Sequence, residues 1–448
     1  MYMKSIWQLN CKIEKRRELT ENLETEVVII GGGMTGMLTA YLLKSRGIPV
    51  IVLEKDRIAQ KTTKNTTAKI TSQHNLIYYE LINKIGRKQA QQYAKANQTA
   101  IEQYADIIES NHISCDFMPE KAFIYSTQSD ERIRKEVWAA NQLGIPAFFT
   151  KKTTLPFPIK GAVCFPEQAS FHPLKFVDAI SQNLTIYENS EIIKVGKGNV
   201  VTKQNKMVSA NHIVVATHYP IIDIPGYYFL RMYQQRSYVL ALENAPLMNG
   251  MYIGEGTGGY SFRNYQNYLL FGGQSHRTGM QKNDEWMRLT KEAKRLFPKA
   301  SVYAKWAAQD CMTFDSIPYI GSFSSKFSNV YVATGFNKWG MTGAMVASNI
   351  ISDRICGIDT PLAAVFSPKR NLGSADVKKL MVHFSHSIAG LSQSLITEKE
   401  HRCTHMGCKL KKNLQENSWD CPCHGSRFDS NGNVIDSPAV TELKNEKS

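Results

Sequence analysis

Residues 27–54 constrain this chain more than any other stretch. Val27-Val28-Ile29-Ile30 is a short β-branched run, suited to a buried parallel strand. Gly31-Gly32-Gly33-Met34-Thr35-Gly36 follows at once, and Met37, Leu38, Tyr41 and Leu42 then recur at helical spacing up to Gly47. Val50-Ile51-Val52-Leu53 is a second strand, closed by Glu54. The order of strand, GxGxxG turn, helix, strand and acid predicts an α/β unit with a dinucleotide cradle. Gly31 permits the tight turn, Gly33 lets the backbone approach a pyrophosphate, and Gly36 lets the helix pack close on the strand. Met34 and Thr35 open the helix, whose free N–H groups and positive dipole end suit phosphates. Glu54 stands near the distance, roughly 20 positions, of the acid that bonds a ribose 2′-OH. Lys55 beside it completes the expected contacts at this strand end. An acid there disfavours a 2′-phosphate, and so NADP.

Composition narrows the class. The chain has 448 residues, 43% hydrophobic and 21% charged, which excludes disorder as a whole. Two or three domains are expected at about 100–200 residues each. The net charge of +15 is scattered rather than run together. It therefore points to a basic surface that suits acidic partners, and not to nucleic-acid binding. No apolar run approaches the roughly 18–20 residues of a membrane span. The start of the chain holds Arg16-Arg17 without the apolar stretch of a secretory or twin-arginine signal. A cytoplasmic protein is the expectation. Cys11, Cys115, Cys164, Cys311 and Cys356 stand singly, as reduced thiols do, whereas Cys403, Cys408, Cys421 and Cys423 crowd together. In a cytosolic enzyme such crowding reads as a metal site.

Two further groups carry chemistry. Cys403-x-His405 and Cys421-x-x-His424 are mixed thiolate–imidazole pairs, and on residue type alone they suit zinc as well as iron. The hydroxyl-rich stretch 61–74, with Thr66, Thr67 and Ala68, follows the second strand. It is placed to wrap a second phosphate or the inner face of a flavin. Val330–Thr334 reads as another strand, followed by Gly335, Lys338, Trp339, Gly340, Met341 and Thr342 and then a small-residue helix over 344–355. The dipole of that helix would face an anionic flavin edge.

Gly31–Glu54, Thr66-Thr67-Ala68-Lys69, Asp315-Ser316-Ile317-Pro318-Tyr319-Ile320-Gly321 and Ala333-Thr334-Gly335 through Thr342 together resemble the D-amino-acid oxidase superfamily, which includes glycine and sarcosine oxidases. The resemblance covers roughly residues 23–365. It implies FAD, a Rossmann-type FAD-binding domain built from separated segments, and a β-rich (α+β) substrate domain. It also implies oxidation of a small amine or amino acid by hydride transfer to the flavin. On this reading Arg263 is the anchor for a substrate carboxylate, and His276 a proton acceptor. Trp306, Gln309 and Asp310 fall under the isoalloxazine. His172 reads as a turn residue. His218, in Ala216-Thr217-His218, departs from the glycine common at that place.

The box at 403–429 resembles a Rieske 2Fe–2S site. Carried over by position, Cys403 and Cys421 hold one iron and His405 and His424 the other. Cys408 and Cys423 match a disulfide pair, and Ser426 a residue bonding a bridging sulfide. The resemblance makes this a small all-β domain, trimmed at both ends. The expected division is an extension over 1–22 and the flavoenzyme over 23–365. Its FAD-binding segments are about 23–75, 156–225 and 309–365, and its substrate domain about 76–155 and 226–308. A linker over 366–386 and the Rieske domain over 387–448 complete the chain. The implied function is a dehydrogenase with single-electron exit through the cluster to an unidentified one-electron acceptor, such as an acidic redox protein. A non-catalytic FAD/2Fe–2S relay, and an oxidase with a decayed or zinc-binding module, stand beside it.

Overall fold

The computed structural model describes residues 1–256, 258–371, 373, 376, 380–382 and 401–443. Leu23–Ile30 lies between Val50–Leu53 and Met207–Val215, parallel to both. Phe327–Thr334 and Thr185–Tyr187 continue the parallel set on either side, within a sheet of eight strands. The inner strands are buried where they read as unbroken apolar runs. Helices Met34–Ser45 and Gly340–Ile355 pack together on this sheet through small side chains, with Thr39 Oγ1 3.0 Å from Ser348 Oγ. This is the α/β cradle that the opening residues predict.

A second sheet of nine strands carries the rest of the flavoenzyme. Its order begins Ser301–Thr313, Met232–Glu243, Tyr268–Arg277, Ser261–Tyr265 and Met251–Gly254, and continues through Met118–Ser126 and Gly161–Ser170 to Lys69–Ile70. The boundaries expected from sequence shift here. Lys69–Ile70, Gly161–Ser170 and residues 309–313, expected in the FAD-binding segments, pair in this sheet instead. Long antiparallel ladders decide the matter, Gly161–Ser170 on Met118–Ser126 and Ser301–Thr313 on Met232–Glu243.

The extension over 1–22 is not an appendage. Trp7, in the short helix Ile6–Asn10, is fully buried, and its indole N–H donates to the Thr66 carbonyl at 2.7 Å. The third sheet has four short antiparallel strands, Lys411–Asn413, Ser418–Asp420, Arg427–Asp429 and Val434–Asp436. The buried guanidinium of Arg427 ties this small unit together through Glu416, Asp420 and Asp436. Glu416 also pairs with Arg236 of the nine-stranded sheet, which docks one unit on the other. Residues 387–400 and part of the linker 366–386 lie outside the described residues. Among the described residues no helix is long and apolar enough to cross a membrane.

Candidate active site and iron–sulfur centre

A cavity of about 1080 Å³ is lined by residues of all three sheets and of the turns between their strands. Gly31, Gly33, Met34, Thr35, Glu54 and Lys55 face it from the cradle. A Cβ at Gly33 would meet only Thr63 Oγ1, at 3.5 Å, so this position opens toward the cavity. A Cβ at Gly36 would lie 1.9 Å from the Gly31 carbonyl oxygen, so that glycine serves helix packing. Glu54 is held from both sides. Its Oε2 accepts from the Gly32 N–H at 2.6 Å and its Oε1 from the Asp56 N–H at 3.0 Å. Burial raises its pKa, and these two bonds oppose the rise. Lys55 pairs with Glu191 at 3.0 Å.

Thr66 and Thr67 face the same cavity, as do Lys338, Trp339, Gly340 and Met341 at the start of the helix Gly340–Ile355. Ala68, Gly335 and Thr342 stand behind these walls and are not among the lining residues. The Thr342 hydroxyl donates to the Thr71 carbonyl at 3.0 Å and lies the same distance from His74 Nε2. His74 stacks on Trp339 with ring centroids 4.9 Å apart, and burial pushes its pKa down to about 3. Its ring is therefore a neutral wall. His218 adopts φ +66°, which explains why glycine suits that place, and among the described residues its buried Nε2 has no hydrogen-bond partner.

Two expectations are corrected. Arg263 does not line the cavity. Its guanidinium donates to the carbonyls of Thr67, Ala68 and Phe171 and lies over the Trp7 ring, so no donor pair is presented to a substrate. His276 is also outside the cavity. Side chains alternate along a strand, and Ser275 takes the cavity side. The His276 ring meets the Tyr238 hydroxyl at 3.1 Å and the Arg277 carbonyl at 2.8 Å. His172 is a helix cap, accepting from the Lys175 N–H at 3.2 Å. Trp306 and Gln309 are buried behind the wall, while Asp310 lines it.

Lys338 and Lys69 stand among the cationic groups of the cavity, which also include Arg57 and Arg132. Lys338 Nζ donates to Ser275 Oγ at 2.9 Å. Burial lowers its pKa, and Asp310 opposes that. Lys69 Nζ donates to Ser261 Oγ at 2.6 Å and to the Tyr252 carbonyl at 3.2 Å. Among the described residues it has no ion-pair partner. Burial, reinforced by the Arg263 charge, brings its pKa down to about 7. Sequence reasoning placed Lys69 in a motif without giving it a role.

The Cys/His box closes into two loops. The Gly407 N–H donates to the Cys403 carbonyl at 2.8 Å and the Gly425 N–H to the Cys421 carbonyl at 3.1 Å. Cys408 and Cys423 form a disulfide, and both are buried. Cys421 Sγ lies within 4.8 Å of both disulfide sulfurs. Cys403 and Cys421 are free, buried thiols that hydrogen-bond to each other, which pulls the Cys403 pKa down. The rings of His405 and His424 lie 5.1 Å apart between centroids. The Nδ1 of each is buried and has no hydrogen-bond partner among the described residues. Two thiols and two orphaned imidazole nitrogens fit the mixed donor set of a Rieske cluster. Ser426 is fully buried and its Oγ accepts from the Ala439 N–H at 3.0 Å.

The domain family described as FAD dependent oxidoreductase matches residues 26–354, and the Rieske [2Fe-2S] domain matches residues 396–447. A relative spanning the whole chain is the putative Rieske 2Fe-2S iron-sulfur protein YhfW of Bacillus subtilis, 34% identical over 98% of this chain and 96% of its own. The cytochrome b6-f complex iron-sulfur subunit of Synechococcus elongatus is 33% identical over 23% of this chain and 56% of that subunit. In fold, the glycine oxidase of Geobacillus kaustophilus matches with a TM-score of 0.65 at 16% identity, over 79% of this chain and all of the other. The open cradle and the orphaned imidazoles agree with these matches on both cofactors, FAD and a 2Fe–2S cluster. The chain belongs to the FAD dependent oxidoreductase family and carries a Rieske domain at its carboxyl end.

Proposed function

We propose that this protein is a dehydrogenase of a small amine that bears a carboxylate, an amino acid or a close analogue. FAD, when bound, supplies the acceptor for a hydride from the substrate Cα, and the cluster supplies a one-electron outlet. The protein's own part is orientation and electrostatics. The observation that carries the substrate class is Lys69. It is a buried amine on the cavity wall that forms no salt bridge among the described residues, the Glu120 charge only partly opposing the effect of burial, and such a charge is costly unless an anion joins it. Ser261 and the Tyr252 carbonyl fix its head. Lys338, balanced by Asp310, is the weaker anchor. His74 and Trp339 form a neutral aromatic wall of the cavity. The glycine-oxidase likeness in fold agrees with this reading.

Lys69→Met tests it. A charge-assisted hydrogen bond is worth about 1.5–3 kcal/mol, or roughly 10–150-fold. Flavin bleaching by the preferred amino acid should need that much more substrate, while bleaching by the matching decarboxylated amine stays unchanged. Equal loss for both, or no loss for either, removes Lys69 as the anchor. A non-catalytic relay would respond to neither compound.

A further inference from the structure

The histidine edge of the iron–sulfur unit is not left to solvent. The turn that follows Met207–Val215 in the FAD-binding sheet runs under it. Asp223 Oδ2 lies 3.1 Å from His405 Nε2. Phe229 stands edge-on to both histidines, with ring centroids 5.6 Å from His405 and 5.7 Å from His424. Both imidazoles are largely buried by this contact, the His405 side chain being 4% exposed. A carboxylate only accepts, so His405 Nε2 is the protonated nitrogen and its orphaned Nδ1 keeps the lone pair. That is the tautomer a ligating imidazole needs.

We infer that Asp223, a residue of the flavoenzyme body, positions His405 and lowers the reduction potential of the cluster. The argument is electrostatic. A carboxylate bonded to the far nitrogen of a ligating histidine makes the imidazole a stronger donor. Stronger donation and a nearby negative charge both favour the oxidised, more positive cluster. Asp223 is itself 42% exposed, so solvent screens part of its charge and the effect is moderate. Phe229 excludes water from the rings and keeps the bond from being replaced by a solvent contact. The potential is thus set across the junction between the two units and is not a property of the small domain alone. The inference is independent of which substrate the flavin oxidises.

The test is a redox titration of the intact holoprotein at fixed pH, followed by visible and electron paramagnetic resonance spectra, with no substrate present. Asp223→Asn keeps the shape and removes the charge. The reduction equilibrium should shift about tenfold toward the reduced cluster, a rise of about 59 mV for a one-electron couple. Asp223→Glu keeps the charge and should stay near the wild-type midpoint. Both variants should keep the cluster content and the far-ultraviolet circular dichroism of the wild type, which separates this effect from general damage. An unchanged cluster midpoint in Asp223→Asn overturns the inference, as does an equal rise in Asp223→Glu. Absence of the cluster spectrum from the wild-type holoprotein would instead count against the cofactor assignment.

Discussion

Lys69 holds its charge only over part of the accessible pH range. Burial, with Arg263 nearby, has brought its pKa from the ordinary lysine range to about 7. Below that value the ammonium attracts a substrate carboxylate, and above it the neutral amine does not. Apparent affinity for an amino acid should therefore fall as pH rises through about 7, approaching tenfold per unit, and the dependence should vanish in Lys69→Met. A substrate-independent pH profile would remove this role. Arg263 makes the opposite prediction. It is committed to the carbonyls of Thr67, Ala68 and Phe171, so Arg263→Met leaves buried acceptors unpaired. A loss of about 3 kcal/mol in stability is expected, because each unpaired buried group costs about 1–3 kcal/mol. The thermal midpoint should drop and the flavin loosen. A rise in KM alone, at unchanged stability, would restore Arg263 as a substrate anchor.

At the scale of elements, the first strand, turn and helix separate two uses of glycine. Gly36 lies in the helix Met34–Ser45 against the Gly31 carbonyl, and Gly33 faces the open cavity. Gly36→Ala should disrupt packing of helix on strand, giving insoluble or strongly destabilised protein. Gly33→Val should fold, because its Cβ finds space, and yet lose FAD, because its branches fill the cradle. Flavin absorbance measured beside far-ultraviolet circular dichroism distinguishes the outcomes. Full flavin in a folded Gly33→Val protein would show that the phosphates bind elsewhere. The cradle was legible because a buried parallel strand reads as a solid apolar run and the glycine spacing is local. The sheet membership of Gly161–Ser170 was not, since antiparallel pairing with Met118–Ser126 joins strands separated by a helix and a further strand.

Across the whole molecule, the small domain forms part of the wall of the cavity that the cradle opens into. Val434, Ile435, Ser437, Ala439, Val440 and Thr441 contribute to the cavity wall. Gln234 couples the units, its side-chain amide donating to the carbonyls of His424 at 2.9 Å and Ser437 at 2.7 Å. Removing a cluster ligand and removing the domain should then differ. Cys403→Ser should keep FAD and its reduction by substrate, while turnover with a one-electron acceptor collapses. A chain ending before residue 401 should lose FAD affinity, because the wall goes with it. Stopped-flow flavin reduction and flavin content measure both. Normal flavin binding in the shortened chain would show that the wall is dispensable.

The amino-acid sequence by itself predicted the α/β cradle, and its motifs carried the resemblances that imply FAD and a 2Fe–2S cluster, with Cys403, His405, Cys421 and His424 as the expected donor set. Those features are encoded in local spacing, where backbone geometry and ligand chemistry admit few residue types. Only the tertiary structure decided that Arg263 and His276 turn away from the cavity, that Lys69 faces it, and that Asp223 meets His405. Which face of a strand looks inward, and which loop reaches across to another unit, depends on sheet pairing and docking between residues far apart in the chain. No local pattern carries that information.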